Sequence, residues 1–307
     1  MSRTSRPTAD RPESISEIAA RELAQAFEQL REPADRIGER VPRDPETVHK
    51  LRVATRRATA TFDLLGELVP QRQAARWRRR LGDLRRAAAE ARDLDVLLLG
   101  LDPKRSRQRR ELSRRRRAAQ PELHAAALRW RGGGRRDRQA CELIERVRVR
   151  HALPEVSWNC FAQLRLAMAI DRFERAAKRA NESVERMHRF RIVGKRLRYL
   201  FERAVATGGC PIDDAVRQEL KGLQELLGSV NDRVVAKRML QADRRGRDKR
   251  TRTVAEGSDD HTLWSADWPA ERLTALVADL RGSLTAIRAV AVPSADPPKR
   301  RRRSSKR

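Results

Sequence analysis

The sequence has few aromatic residues, few cysteines and no long uncharged apolar run. Tyr, Phe and Trp make up 4% of its 307 residues, so Leu, Ala and Val must build most of the core. The three cysteines, Cys141, Cys160 and Cys210, form no CxxC pair, which indicates free, buried thiols in a reducing compartment. No segment reaches the roughly 18 apolar residues that a membrane span needs, and the N-terminus lacks the apolar stretch of a signal peptide. We therefore expect a cytoplasmic protein that does not span a membrane.

Acidic residues are too few to balance the basic ones. Asp and Glu number 42 against 70 Lys and Arg, which gives a formal net charge of +28. The closing run from Lys299 has seven basic residues and no acid, but a charge of +21 remains without it. This excess predicts a polyanionic partner for the folded part of the chain. The basic tail could by itself attract nucleic acid or anionic lipid, although such tails are more commonly solvated ends.

Strand-like alternation is absent, and apolar residues recur at helical spacing through most of the chain. The pattern predicts an all-α protein whose first helix begins near Ser14 and whose fourth runs from Asp93 into the basic segment after residue 105. Residues 101–154 are the least regular, and their glycine triplet predicts a flexible break. The other predicted helices cover residues 45–68, 72–89, 157–180, 183–206, 213–227 and 232–250, and a last one starts near Pro269.

The chain contains an internal repeat. When residues 48–97 are laid on 187–236 without a gap, residues match at a constant offset of 139 positions, the separation of His49 and His188. One register holds from one end of this stretch to the other, which is hard to obtain by accident. We interpret the repeat as a duplicated unit of about four helices. The other identical pairs are Arg52/Arg191, Arg57/Arg196, Phe62/Phe201, Arg78/Arg217, Leu81/Leu220, Leu84/Leu223, Asp93/Asp232 and Val96/Val235.

The repeated helices carry basic and apolar residues on opposite faces. At about 100° per residue, His49, Arg52 and Arg56 fall on one stripe, with apolar residues across from them. An ordinary solvated face mixes signs to gain i,i+4 pairs, but this stripe contains no acid in either copy. Like charges repel at this spacing, so we interpret the stripes as anion-binding. The second stripe is His188, Arg191, Lys195 and Arg198, and the apolar faces are Leu51, Ala54, Ala58, Thr61, Phe62 and Leu65, and Phe190, Val193, Leu197, Leu200, Phe201 and Ala204.

Four segments together resemble a known family. "VHKLRVATRR" and "MHRFRIVGKRLRY", followed at a fixed distance by "RDLDV" and "LLGSVND", are similar to the paired motifs of the CHAD family, the conserved histidine α-helical domain. The resemblance implies two four-helix bundles related by a pseudo-twofold axis, with a basic central pore or groove. It also implies binding of inorganic polyphosphate and association with polyphosphate granules. It assigns phosphate contacts to His49, Arg52, Arg56, Arg57, His188, Arg191, Lys195, Arg196 and Arg198, and no cofactor.

The resemblance covers about residues 13–250 and sets the expected domain organisation. Its first half is residues 13–120 and its second half residues 155–250, with a basic, glycine-containing connection at about 101–154. A linker and a C-terminal helix follow at 251–292, and this helix could pack on the bundle or on a partner protein. The ends, residues 1–12 and 293–307, lack apolar periodicity and are predicted to be disordered.

The first motif departs from the family pattern. Thr59 stands where the family usually has Arg, Ala58 replaces Leu and Ala89 replaces Gly, so we expect the first half to hold phosphate less tightly. The two motif histidines add titratable donors, and binding is expected to tighten below roughly pH 6.5. The basic residues elsewhere on the matched helices are second-tier candidates: Arg78, Arg85, Arg92, Arg217 and Lys221.

Three other functions fit the sequence less well. Each copy supplies one His without a neighbouring Cys or carboxylate, whereas a zinc site needs three or four ligands, and "DLD" at residues 93–95 is better explained by a helix cap or a carboxylate that orients an Arg. Without a P-loop, GxSxG or ExExK motif, a polyphosphate-processing enzyme is a weaker alternative than non-catalytic binding. General DNA or RNA binding is the main alternative, although few aromatic residues are placed to stack on bases.

Overall fold

The computed structural model describes residues 13–40, 44–102, 104–149, 156–210, 214–226, 228 and 270–291. Within these ranges the regular structure is entirely helical, which confirms the predicted all-α class. None of the helices in these ranges is long and apolar enough to cross a membrane. The predictions for residues 1–12, 232–250 and 293–307 lie outside the described residues. The pseudo-twofold relation between the halves and the central pore stay predictions.

Eleven α-helices make up the described chain, and side-chain caps begin four of them, α1, α2, α8 and α9. Ser14 begins the first helix with a capping box in which it exchanges hydrogen bonds with Glu17. Asp44 accepts from the backbone of Glu46 and caps the second helix. The helices are α1 (Ile15–Glu39), α2 (Pro45–Leu65), α3 (Gln71–Ala87), α4 (Ala89–Gly100), α5 (Ser106–Ala118), α6 (Gln120–Arg131), α7 (Arg135–Arg148), α8 (Trp158–Ala177), α9 (Val184–Ala206), α10 (residues 214–226) and α11 (Ala270–Ala291).

The helices that carry the repeated motifs, α2 and α9, have the predicted extents within a few residues. The predicted fourth helix is wrong, because the chain ends α4 at Gly100 and starts α5 at Ser106. Residues 101–154, predicted to be the least regular segment, contain the three helices α5, α6 and α7. Helix α5 buries only Arg116, so apolar periodicity could not mark it. Helix α7 does bury a helical stripe of Ala140, Leu143 and Val147, which the sequence-based prediction missed.

The predicted break at the glycine triplet separates α6 from α7. Gly132, Gly133 and Gly134 form a 3-10 turn, and their φ angles of 53°, 58° and 78° lie in the left-handed region. Side chains with a Cβ rarely adopt this conformation, so three successive glycines allow the tight reversal.

One apolar core extends through both halves of the chain. Leu23 of α1, Phe62 of α2, Phe173 of α8 and Phe190 of α9 are fully buried in the same cluster. Each such side chain contributes about 1.5–3 kcal/mol when it leaves water. A smaller cluster, which includes Leu51, closes the end of the first half against α6.

The halves are joined by packing and by polar contacts. Helix α2 packs against α9, so the two motif helices are direct neighbours. Arg203 of α9 forms a buried ion pair with Glu22 of α1. Arg165 of α8 donates to the carbonyl of Asp63 at 2.7 Å, near the C-terminal end of α2. These contacts fix the relative positions of α2 and α9, the two helices that carry the basic stripes.

The C-terminal helix packs on its own bundle. Leu276 and Leu280 of α11 are buried in the main core, and the helix lies against α8. Arg281 reaches Asp171 at 2.8 Å and Glu174 at 2.6 Å on α8. The described apolar side of α11 is therefore covered by the chain itself, and a partner protein at this helix stays a prediction.

The prediction of buried thiols is correct for one cysteine only. Cys210 is buried, and burial raises the pKa of its thiol to about 11. Cys141 and Cys160 are exposed, because α7 and α8 turn these positions towards solvent. All three are free.

Candidate polyanion-binding site

The two faces predicted for α2 and α9 are found in the structure. On α2, Leu51, Ala58 and Phe62 are fully buried, whereas His49 and Arg56 remain partly exposed. The apolar face of α9 is buried in the same way, apart from Val193, which is partly buried. Burial of the apolar face fixes the rotation of each helix, so the basic stripe must face away from the core.

Arg52 and Arg85 connect α2 to α3 on the basic side. A guanidinium nitrogen of Arg52 donates to the backbone carbonyl of Arg85 at 3.2 Å. Arg85 in turn places a guanidinium nitrogen 3.5 Å from the hydroxyl of Thr59. Arg85 thus supplies a cation at the position where the family motif carries one on α2 itself.

Basic residues from both halves converge on Arg85. Burial lowers the pKa of Arg85, and repulsion from Arg56 of α2 and Arg196 of α9 lowers it further. Arg52 has its pKa lowered to about 10, first by burial and then by repulsion from Arg56, with Arg85 and Arg92 also contributing. We call this group the basic cluster, and its members are His49, Arg52, Arg56, Arg85, Arg92 and Arg196.

The basic cluster contains almost no compensating negative charge. Asp93 raises the pKa of Arg52, which is the opposite of the effect of the surrounding arginines. In the part of the chain that the structure describes, none of its five arginines has a carboxylate within ion-pair distance. Repulsion of this kind destabilises the fold unless an anion occupies the site.

His49 lies beside these arginines, and its pKa is lowered. Burial is the largest cause, and Arg92, Arg56 and Arg52 add repulsion, against an opposing contribution from Glu46. The imidazole therefore titrates below its ordinary value of 6.5 in the unliganded protein. The tighter binding at low pH that the sequence predicted is therefore expected, for His49, to set in at a lower pH than the sequence alone indicated.

Several predicted residues lie outside the basic cluster and have other contacts. Arg57 is exposed on α2, and Arg78 pairs with Asp63 at 3.0 Å. Arg198 lies 3.5 Å from Glu202 and stacks over Tyr199 at 4.8 Å. Arg217 and Lys221, both exposed on α10, pair with Asp214 at 3.0 Å and Glu225 at 3.9 Å. The remaining predicted residues lie on α9: His188, which is exposed, and Arg191 and Lys195, which are partly exposed.

The second half lacks an equivalent of Arg85. The repeat offset places Gln224 at that position, where it is buried and donates to the carbonyl of Gly194 at 2.7 Å. Arg85 and Arg92 are second-tier candidates from the sequence, and neither has a basic counterpart in the repeat. The tertiary packing of α3 and α4 on α2 brings both into the cluster.

One carboxylate of the "DLD" segment orients an arginine, which is one of the two roles that the sequence predicted for this segment. Asp95 is buried and accepts from Nε of Arg116 at 2.7 Å. Across the described residues there is no group of three or more His, Cys, Asp or Glu that could hold a metal ion.

Comparison with known proteins gives one family. The family model described as CHAD domain matches residues 21–241. The crystal structure of the CHAD domain from the plant Ricinus communis is 26% identical, with a TM-score of 0.62 over 87% of this chain and 92% of that chain. PptA from Streptomyces chartreusis is 21% identical, with a TM-score of 0.49 over 89% of this chain and 95% of that chain. A search of curated protein sequences finds no match.

Proposed function

The chain belongs to the CHAD domain family, and on that premise we propose that it binds inorganic polyphosphate at the basic cluster without turning it over. The observation that carries the proposal is the packing of α2 between α3 and α9, where Arg52 donates to the carbonyl of Arg85 at 3.2 Å and Arg85 reaches Thr59 at 3.5 Å. The lowered pKa of Arg85, to which Arg56 and Arg196 contribute, supports it. This site brings together arginines of two motif helices and of α3. A ligand with many regularly spaced negative charges therefore relieves the most repulsion when it binds there.

Polyphosphate suits this site better than other polyanions. It is a flexible chain with about one negative charge per phosphate, and it offers no bases for a protein to recognise. The planar guanidinium binds two phosphate oxygens at once, so a row of arginines can follow such a chain. The motif helices bring no exposed ring towards the cluster for base stacking, since Tyr199 is buried.

The remaining predicted contacts belong to the same proposal. Arg191 and Lys195, together with His188, extend the cluster along α9, and Arg57 and Arg198 supply outlying cations. Arg78, Arg217 and Lys221 contribute only to the surrounding positive field, because each already has an acidic neighbour. We also propose that this binding recruits the protein to polyphosphate granules.

The test is a pair of matched double variants of the full chain. Arg56→Gln with Arg196→Gln removes two members of the basic cluster. Arg172→Gln with Arg175→Gln removes the same charge from two exposed side chains of α8. Neither of these side chains forms an ion pair within the described residues. Long-chain polyphosphate should bind the first variant about 100-fold more weakly, since each lost charged hydrogen bond costs about 1.5–3 kcal/mol.

The control variant should bind within about threefold of the wild type. Equal losses in the two variants would mean that the protein binds through diffuse charge, and the proposed site would be wrong. Release of phosphate from polyphosphate in the presence of Mg²⁺ would contradict the non-catalytic part of the proposal.

A further inference from the structure

A second group of arginines lies on the other side of α3. Arg76 and Arg80 of α3 and Arg135 and Arg136 of α7 lie close enough to affect one another's ionisation. Burial lowers the pKa of Arg80 to about 10, and repulsion from Arg136, Arg76 and Arg135 adds to the effect. The pKa of Arg136 is lowered by burial and by the neighbouring Arg76 and Arg135. We call these four residues the α3–α7 arginine cluster.

No acid balances this cluster. Among the described residues, none of its four members forms an ion pair. The nearby acids already have partners, because Asp35 pairs with Arg131 at 3.0 Å and Asp137 with Arg31 at 3.5 Å. Within the described ranges, the four guanidinium groups therefore repel one another and none of them pairs with an acid.

A cavity of about 640 Å³ lies against the cluster, between α1, α3, α6 and α7. Of the four clustered arginines, Arg136 alone lines it, together with Trp77 and Trp130. The two ion pairs Arg131–Asp35 and Arg31–Asp137 line it as well. Its size falls within the range of small-molecule pockets, about 300–1,000 Å³. Arg80 stacks over the ring of Trp77 at 4.9 Å, and the rings of Trp77 and Trp130 are 5.7 Å apart.

The cavity is separate from the basic cluster. At about 100° per residue, Arg76 and Arg85 lie about 180° apart on α3, and Arg80 and Arg85 about 140° apart. Arg85 donates to the hydroxyl of Thr59 on α2, whereas Arg80 lies over Trp77, which lines the cavity. A ligand in the cavity therefore contacts none of the arginines that meet Arg85.

We propose that the cavity and the α3–α7 arginine cluster form a second anion-binding site, which takes a short chain of linked phosphates. Arg136 lines the cavity and Arg80 lies over Trp77 in its wall, so their guanidinium groups can bind successive phosphates of one chain. Such a chain could be a free inorganic oligophosphate or the phosphates of a nucleotide, whose base would lie against the partly exposed Trp130. The inference does not depend on polyphosphate binding at the basic cluster.

The experiment titrates the full chain with tripolyphosphate and with ATP, and it measures tryptophan emission and binding heat. Trp77 and Trp130 line the cavity, so its occupancy should change the emission. The test variant is Arg76→Gln with Arg136→Gln, and the Arg172→Gln, Arg175→Gln pair is the matched control. The Arg56→Gln, Arg196→Gln variant reports separately on the basic cluster.

We expect the emission change to occur in the wild type, in the control and in the basic-cluster variant, and to need at least tenfold more ligand in the test variant. Equal affinities for tripolyphosphate and ATP would assign recognition to the phosphates alone, and tighter ATP binding would add the nucleoside. The proposal is overturned if the test variant titrates like the control, if only the basic-cluster variant loses the response, or if millimolar tripolyphosphate gives no signal in the wild type. Adenosine binding as tightly as ATP would overturn it as well.

Discussion

Arg85 is the residue where the two halves of the basic cluster meet. It contacts Thr59 of α2 and is repelled by Arg196 of α9, although it belongs to neither motif helix. The sequence predicted most members of the cluster, because their spacing repeats. It ranked Arg85 lower, since Gln224 occupies the matching position in the repeat. Only the packing of α3 on α2 reveals that Arg85 fills the place left by Thr59.

Replacing Arg85 should therefore weaken polyphosphate binding, although Arg85 belongs to neither motif helix. We expect Arg85→Gln to raise the Kd about tenfold, since one charged hydrogen bond to phosphate is lost. The matched control is Arg86→Gln, because Arg86 is exposed and pairs with Asp83. Calorimetric titration measures both, and an equal effect of the two substitutions would remove Arg85 from the site.

His49 should make binding dependent on pH. Its pKa is lowered in the free protein, and a bound polyanion must raise it, because the anion favours the charged imidazolium. Binding is therefore expected to tighten as the pH falls through the bound-state pKa, and the full gain is present below the free-state pKa. The gain is lost at a pH well above the bound-state pKa, where the imidazole is neutral in both states.

The check is the Kd of long-chain polyphosphate between pH 5 and 8 in the wild type and in His49→Gln. His188→Gln is the matched control, because His188 is exposed on the other motif helix. We expect the first substitution to flatten the profile more than the second. A profile that His49→Gln leaves unchanged would assign the pH dependence to other groups.

At the scale of the elements, capping and close packing hold α2 in place. Gly66 ends the helix with a φ of 49°, and Arg165 of α8 lies against it. A Cβ added at Gly66 would lie 2.7 Å from the guanidinium carbon of Arg165. Glycine is therefore needed here both for its backbone conformation and for the space it leaves.

We expect Gly66→Ala to lower the free energy of unfolding by about 1–3 kcal/mol, because it combines backbone strain with displacement of Arg165 from the carbonyl of Asp63. Gly100→Ala is the control, since nothing lies within 4 Å of a Cβ at the end of α4. Urea unfolding of both variants measures the difference. Similar stabilities would mean that the contact between α8 and the end of α2 contributes little.

How well each helix can be predicted from the sequence depends on how much apolar surface the helix buries. Helices α2 and α9 bury broad apolar faces, so their periodicity marks them clearly. Helix α5 buries a single arginine, Arg116, through its ion pair with Asp95. Such a helix depends on tertiary contacts with α4 and α6, and no apolar pattern in its own sequence could have predicted its bounds.

At the scale of the whole molecule, the chain has a net charge of +28, and its largest apolar core includes residues of both α2 and α9. The core fixes α2 against α9, and the ion pair between Arg203 and Glu22 ties α9 to α1. This packing holds the arginines of the basic cluster close together, although their positive charges repel one another. Charge and family resemblance predicted the class of ligand, but the opposite faces of α3, with a basic group on each, could only be seen in the structure.

The most direct test of the account is a competition at equal phosphate concentration between long-chain polyphosphate, duplex DNA and RNA, at near-physiological salt. We predict that polyphosphate displaces a labelled polyphosphate at least tenfold more effectively than either nucleic acid, and that Arg56→Gln with Arg196→Gln removes this advantage while Arg172→Gln with Arg175→Gln keeps it. If the three polyanions compete equally and neither pair of substitutions changes their ratio, the protein is a general binder of polyanions, and the basic cluster is not a dedicated polyphosphate site.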